Sequence, residues 1–234
     1  MQQDYPNVPH EPHDDTAATV SDRPPVNPEF AVPPPADVSV QLRSVRHPIS
    51  FGMLDPDAVK TIRRLKKYGF DAFLVGGCVR DILLGIQPKD FDLATSARPA
   101  EIRSIFRNCR LIGRRFRLAH LHFANQKIIE VATFRRNATE TDDVSERHAA
   151  ENLFGNPADD AVRRDFTINA LMYDVSRQLI HDWTGGLGDI DNRLLRTIGD
   201  PNRRLVEDPV RILRAVKFGV RLGLVFDPEL LAAM

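Results

Sequence analysis

Two short stretches set the tightest limit on what this chain can fold into. The apolar run Ala72–Val75 leads straight into Gly76-Gly77, and about a dozen residues later Lys89-Asp90-Phe91-Asp92 opens another apolar run. A short apolar run bounded by turn residues reads as a buried strand. Glycines directly after it let backbone N–H groups approach an anion, and the start of the following helix favours negative charge. Asp90 and Asp92 are two apart, so strand alternation places both on one face and turns Phe91 into the core. Adjacent carboxylates repel unless a cation sits between them. Mg²⁺ is the natural one, because it takes hard oxygen ligands together with substrate phosphates.

The remaining pattern fits around that pair. Asp55-Pro56 reads as an N-cap and first helical residue, with Val59, Ile62 and Leu65 as the buried stripe and Gly69 as the stop. Gly76-Gly77 turns into a short helix, Val79–Leu84, closed by Gly85. Phe91–Ala94 is the next strand, and Ser96 and Pro99 open a helix through Ile102 and Phe106. Leu118–Phe123 and Ile128–Phe134, separated by Asn125-Gln126, predict a β-hairpin. The polar stretch from Arg135 to His148 reads as a mobile loop. Asn156-Pro157 opens a helix containing Val162, Phe166, Ile168 and Leu171, and Asp182 to Asp191 is a Gly-rich connection. Asp208-Pro209 caps a helix with Val210, Leu213, Ala215, Val216 and Phe218 facing inward, stopped by Gly223. Asp227-Pro228 begins another helix that Met234 cuts off, which reads as a truncated helical continuation. The first part is therefore α+β with mixed connections, and the last part is helical.

The net charge of zero hides an asymmetry. Residues 1–38 hold seven acidic residues against Arg23, a net of −6, so the remainder carries +6. Nine of the 17 prolines also fall there, and apolar residues are sparse. Such a tail cannot offset its ordering entropy by burial and reads as disordered. The rest carries an arginine-rich stretch, Arg98, Arg103, Arg107, Arg110, Arg114, Arg115 and Arg117, which suits a polyanion as well as a solvated surface. Cys78 and Cys109 match no metal spacing or disulfide framework; two reduced thiols in a cytoplasmic protein is the plain reading. There is neither a signal-peptide pattern nor an apolar run long enough to span a membrane.

Three further groups carry candidate chemistry. Glu130 sits in the otherwise mostly apolar strand Lys127–Phe134 and wants a metal or cationic partner. Arg163-Arg164-Asp165-Phe166-Thr167-Ile168-Asn169 places two arginines near an expected helix start, where an anion would relieve them; Arg164 suits a triphosphate and Asn169 a ribose hydroxyl. Asp208 and Arg211, three apart on one expected helix face, offer acceptor and donor together, as reading a base edge requires, or simply a cap and an ion pair.

In this order, these stretches resemble the class II nucleotidyltransferases, the bacterial poly(A) polymerases and tRNA CCA-adding enzymes, over roughly Val40 to Leu224. The resemblance leans to the poly(A) polymerase branch through Asn108–His120, through Asn152-Leu153-Phe154-Gly155 and Asp159–Val162, and through His47-Pro48-Ile49-Ser50. Cys78 stands where a third glycine is frequent, and Phe51 where a basic residue is. The resemblance implies a nucleotidyltransferase head with a mixed, mainly antiparallel sheet over residues 39–175, and a connection with the start of a helical neck over 176–234. It implies AMP transfer from ATP to RNA 3′ ends, with CCA addition or a non-catalytic binding fragment as alternatives. By it, Asp90 and Asp92 hold Mg²⁺ in a two-metal site, joined by Glu130 as a third catalytic carboxylate. Gly76, Gly77, Arg80 and Asp81 hold the phosphates and their loop. Arg164, Asp165 and Asn169 contact the nucleotide on a helix, and Asp208 with Arg211 reads the base.

Overall fold

An eight-stranded sheet organises the chain, with strand order β1-β8-β7-β2-β3-β6-β5-β4. The computed structural model describes residues 41–113, 118–136 and 153–234, all within one unit, Pro35–Met234. The expected disordered tail, Arg114, Arg115 and Arg117 of the basic stretch, and residues 137–148 of the expected mobile loop lie outside the described residues. The strands are β1 (Arg43–Arg46), β2 (Ala72–Val75), β3 (Asp92–Thr95), β4 (Cys109–Ile112), β5 (Leu118–His122), β6 (Ile128–Thr133), β7 (Met172–Asp174) and β8 (Leu179–Asp182). Within this sheet β3 and β6 are the parallel pair among the described strands, and the other pairings are antiparallel. This is the mixed, mainly antiparallel sheet that the resemblance implied.

Period-two alternation divides the sheet into two faces. Leu74, Leu93, Leu121, Ile129 and Val131 point to one face, where they pack with α1 (Pro56–Lys67), α2 (Gly77–Leu83) and α3 (Pro99–Ile105). Phe73, Val75, Ala94 and Met172 point to the other, against Ala161 of α4 (Pro157–Val162) and Ile198. The start of α1 forms as its sequence dictates: the Asp55 carboxylate accepts from the N–H groups of Asp57 and Ala58, and Pro56 occupies the first turn. The β5–β6 hairpin also forms, its turn made by Asn125 and Gln126 with φ of 57° and 59°.

Several expectations need correction. β3 begins at Asp92, so Asp90 and Phe91 precede the strand, although Phe91 is buried between two exposed aspartates. The helix expected through Leu171 ends at Val162; Thr167–Asn169 forms a separate 3-10 turn, and Met172 enters β7. The break has a local cause: Asp165 accepts from the N–H of Phe166, and Phe166 bridges to Thr197. The hairpin β7–β8 spans residue 175, so the sheet runs on to Asp182, past the expected limit of the head. The Asp182 carboxylate then accepts from the N–H groups of Thr184, Gly185, Gly186 and Leu187, which turns the chain into α5 (Gly186–Asp191).

Beyond α5 come β9 (Leu194–Leu195), α6 (Pro201–Glu207), α7 (Val210–Leu222), β10 (Val225–Phe226) and α8 (Pro228–Ala233). β9 and β10 pair in parallel. α7 turns Ala215 and Phe218 inward, as expected, together with Gly219 and Leu222. Val210, Leu213 and Val216 face outward instead. The helix is apolar on two arcs, and the periodicity alone could not tell which one packs on the head. No described helix is long and apolar enough to cross a membrane.

Candidate active site

The two carboxylate stretches meet across β3 and β6. Asp92 is the register partner of Glu130 on one side and of Val75, the residue before the glycine turn, on the other. Asp90 sits in the loop just before β3. Asp90, Asp92 and Glu130 line a cleft of about 600 Å³ whose other walls are Asp55, Lys89, Phe91 and residues 126–129 of the hairpin. The Asp92 side chain reaches solvent, yet burial of its surroundings pushes its pKa up to about 6. The charge of Glu130 and then that of Asp90 act the same way, while Arg164 pulls in the opposite direction.

Gly76 has φ of 71° and caps α2 at its start. A Cβ there would lie 3.1 Å from Nη1 of Arg164, so the glycine gives that guanidinium its place beside the turn. Arg164 is held from behind. Its Nη2 donates to Asp160 at 2.8 Å, and Arg163 donates to the other Asp160 oxygen at 2.8 and 3.0 Å. The two arginines thus stand at the C-terminus of α4, where the helix dipole favours them, and not at a helix start. Their buried anion is Asp160, to which the sequence reading assigned no role of its own and whose i,i+3 and i,i+4 spacing to them was the available signal. The Nε of Arg164 is buried with no partner among the described residues.

Arg80, Asp81, Asp165 and Asn169 come together, behind the glycine turn. Arg80 donates from Nε and Nη2 to Asp81 at 2.8 and 2.6 Å and from Nη1 to Asn169 Oδ1 at 2.7 Å. Asn169 donates to Asp165, whose other oxygen accepts from Arg214 at 2.7 Å. Arg80 also lies over the Phe218 ring at 4.8 Å, and Arg221 stands 3.5 Å from Asp81. Arg80 and Asp81 are buried, so their charges tie α2 to α7. Arg214 and Arg221 belong to this network although the sequence reading assigned them no role, and Phe218, expected only as a core residue, serves it as the ring beneath Arg80.

The N–H of Arg211 donates to the Asp208 carbonyl at 3.1 Å, but their side chains turn to different partners. Asp208 precedes α7 and accepts from the N–H of Val210, while Arg211 donates to the carbonyl of Arg204 and stands 3.5 Å from Glu207. Arg204 itself donates to the carbonyls of Arg163 and Arg164, which anchors α6 to the Arg164 turn.

The same order of elements is found in known proteins. The family model described as "Poly A polymerase head domain" matches residues 72–196, from the strand before the glycine turn to the residue after β9. The chain belongs to this poly(A) polymerase head-domain family. Poly(A) polymerase I of Escherichia coli O157:H7 is 48% identical over 194 residues, covering 79% of this chain and 41% of the relative. The CCA-adding enzyme of Oceanobacillus iheyensis is 39% identical over 166 residues, covering 71% of this chain and 40% of the relative. The Bacillus stearothermophilus CCA-adding enzyme, solved in complex with CTP, superposes with a TM-score of 0.67 at 34% identity, over 77% of this chain and 43% of that one. The chain thus spans about two fifths of the length of these relatives. Within this head-domain family, the Asp90–Asp92 loop, β6 and the glycine turn all fall inside the matched region.

The donor set fits a magnesium ion of a particular kind. Among the described residues no three acidic, histidine or cysteine side chains already converge as a metal cage. Two solvent-reaching carboxylates at the mouth of a cleft suit Mg²⁺, which binds through one or two carboxylates and completes its shell with water and substrate phosphates.

Proposed function

We propose that this head domain transfers AMP from ATP to an RNA 3′-hydroxyl, without a template, and releases pyrophosphate. The observation that carries the reading is the union of Asp90, Asp92 and Glu130 at one cleft, next to a glycine turn with Arg164 beside it, in a chain 48% identical to Poly(A) polymerase I. Asp90 and Asp92 are the residues that would hold Mg²⁺. When bound, the ion would neutralise phosphate charge and favour the ionised form of the acceptor hydroxyl.

The chain's own groups do the positioning, which supplies most of the rate in phosphoryl and nucleotidyl transfer. Arg164, fixed by Asp160 and with its Nη1 beside the Gly76 turn, is placed to take a phosphate of the nucleotide. Gly76 keeps the backbone open for that approach. Arg80, Asp81, Asn169 and Asp165 hold the turn rigid from behind, a supporting role rather than direct phosphate contact. Asp208 and Arg211 remain the pair assigned to the base, by resemblance. The exposed Arg98, Arg103, Arg107 and Arg110 suit the RNA backbone. The free thiols Cys78 and Cys109 suit the reducing cytoplasm.

CCA addition is the second reading, favoured by the fold match to a CCA-adding enzyme in complex with CTP. Incorporation of labelled ATP and CTP, with Mg²⁺, on a plain RNA primer and on end-trimmed tRNA separates the two. ATP-only tails on the plain primer support AMP transfer, and CTP addition confined to tRNA supports the alternative. Nucleotide binding without incorporation on either RNA would leave a binding fragment.

A further inference from the structure

The carboxylate row continues past Glu130. Register pairs run Asp92 to Glu130, Glu130 to His120 and His120 to Arg110, so four strands present four polar side chains on one line of the sheet. The members at the site end are in contact: Nε2 of His120 lies 3.5 Å from Oε1 of Glu130. His120 is well packed, with a side chain 20% exposed, whereas Glu130 is 47% exposed and would otherwise swing freely. A cross-strand pair of this kind fixes rotamers because both side chains stand on neighbouring strands about 5 Å apart. Among the described residues, the Glu130 carboxylate has no ion-pair partner besides His120.

We infer that His120 is a positioning residue for the proposed transfer: its Nε2–H holds Oε1 of Glu130 and keeps Oε2 directed along the row toward Asp92. The inference rests on the reading of the cleft as a nucleotidyl-transfer site. It is independent of the charge of the imidazole, since a neutral N–H donor suffices. Groups that orient a carboxylate at a metal-dependent site commonly matter about ten-fold or more in affinity or rate.

The test uses the full chain with His120→Ala, His120→Gln, Glu130→Ala and the double variant His120→Ala/Glu130→Ala. Mn²⁺ affinity is read by electron paramagnetic resonance in the presence of a non-hydrolysable ATP analogue, and kcat and KM for ATP are read on an RNA primer. His120→Ala is expected to weaken Mn²⁺ binding and lower kcat, each about ten-fold, with KM for ATP within about two-fold of the parent. His120→Gln, which keeps an N–H donor, restores most of both. In the Glu130→Ala background the His120 substitution adds nothing. Equal losses in both backgrounds, no loss at all, or no rescue by Gln would overturn the inference. If the parent chain transfers no nucleotide, the functional reading fails, while the Mn²⁺ titrations still decide whether His120 acts through Glu130.

Discussion

Asp92 and Glu130 face each other across β3 and β6, the one parallel pairing of the main sheet among the described strands. Neighbouring carboxylates in that register would destabilise an ordinary sheet. Here they sit at the mouth of the cleft, and the cost appears in the titration of Asp92, whose pKa burial and Glu130 push up to about 6.

The first prediction follows from that shift. The folded, metal-free chain keeps the Asp92 proton up to about pH 6, whereas the unfolded chain releases it near pH 4. Folding therefore takes up a proton between these values, and stability falls as pH rises through about 4 to 6. Asp92→Asn should remove that slope and be the more stable protein above pH 6, while losing transfer activity. Urea midpoints in EDTA between pH 4 and 7 decide this; parallel curves for the two proteins would count against it. Mg²⁺ affinity of the parent should rise through the same window, since the ion needs the ionised carboxylate.

Gly76 and Gly77 should respond differently to alanine. Gly76→Ala forces a Cβ onto φ of 71° and against Arg164, a strain of about 1–3 kcal/mol, and should also weaken ATP binding by displacing that arginine. At Gly77 the added Cβ meets Arg80 Nη2 at 3.5 Å, an ordinary contact inside α2. Gly77→Ala should keep parental stability or exceed it slightly. Thermal unfolding of both variants checks the contrast, and equal melting temperatures would refute it.

Asp160→Ala removes the buried anion shared by Arg163 and Arg164. Asp160 is 1% exposed, and its carboxyl stays below the usual carboxylate range because the two arginines outweigh the opposing effect of burial. Breaking a buried pair from one side costs about 3 kcal/mol. Chemical denaturation should show that loss, and KM for ATP should rise because Arg164 is released. Asp160→Ala with parental KM would separate Arg164 from nucleotide binding.

Arg80→Met tests the link between the glycine turn and α7. It leaves buried Asp81 with Arg221 at 3.5 Å and deletes the bond to Asn169. Stability should fall by about 3 kcal/mol. Hydrogen exchange should accelerate in α7 as well as α2, because Arg80 is what α2 places over Phe218. Faster exchange confined to α2 would show that the two helices are held by other contacts.

The sequence by itself determined the elements whose cause is local. Asp55-Pro56 specified where α1 begins, Ala72–Val75 was apolar enough to be only a central strand, and Asn125-Gln126 specified the β5–β6 turn. Asp90, Asp92 and Glu130 could be picked out as charges beside or inside apolar runs, and the fold brings all three to one cleft. Tertiary structure decided the rest. Short strands such as β7 and β8 carry too little pattern to be seen before their partners exist. Arg163 and Arg164 fell at a helix end, since the helix stops where Asp165 and Phe166 find other partners. Arg80 and Asp81 turned inward because Asn169 and α7 arrive from far along the chain to meet them. The two apolar arcs of α7 were equivalent in sequence, and only the position of the head chose between them. Periodicity records which residues share a face; which face is buried depends on what the rest of the chain brings to it.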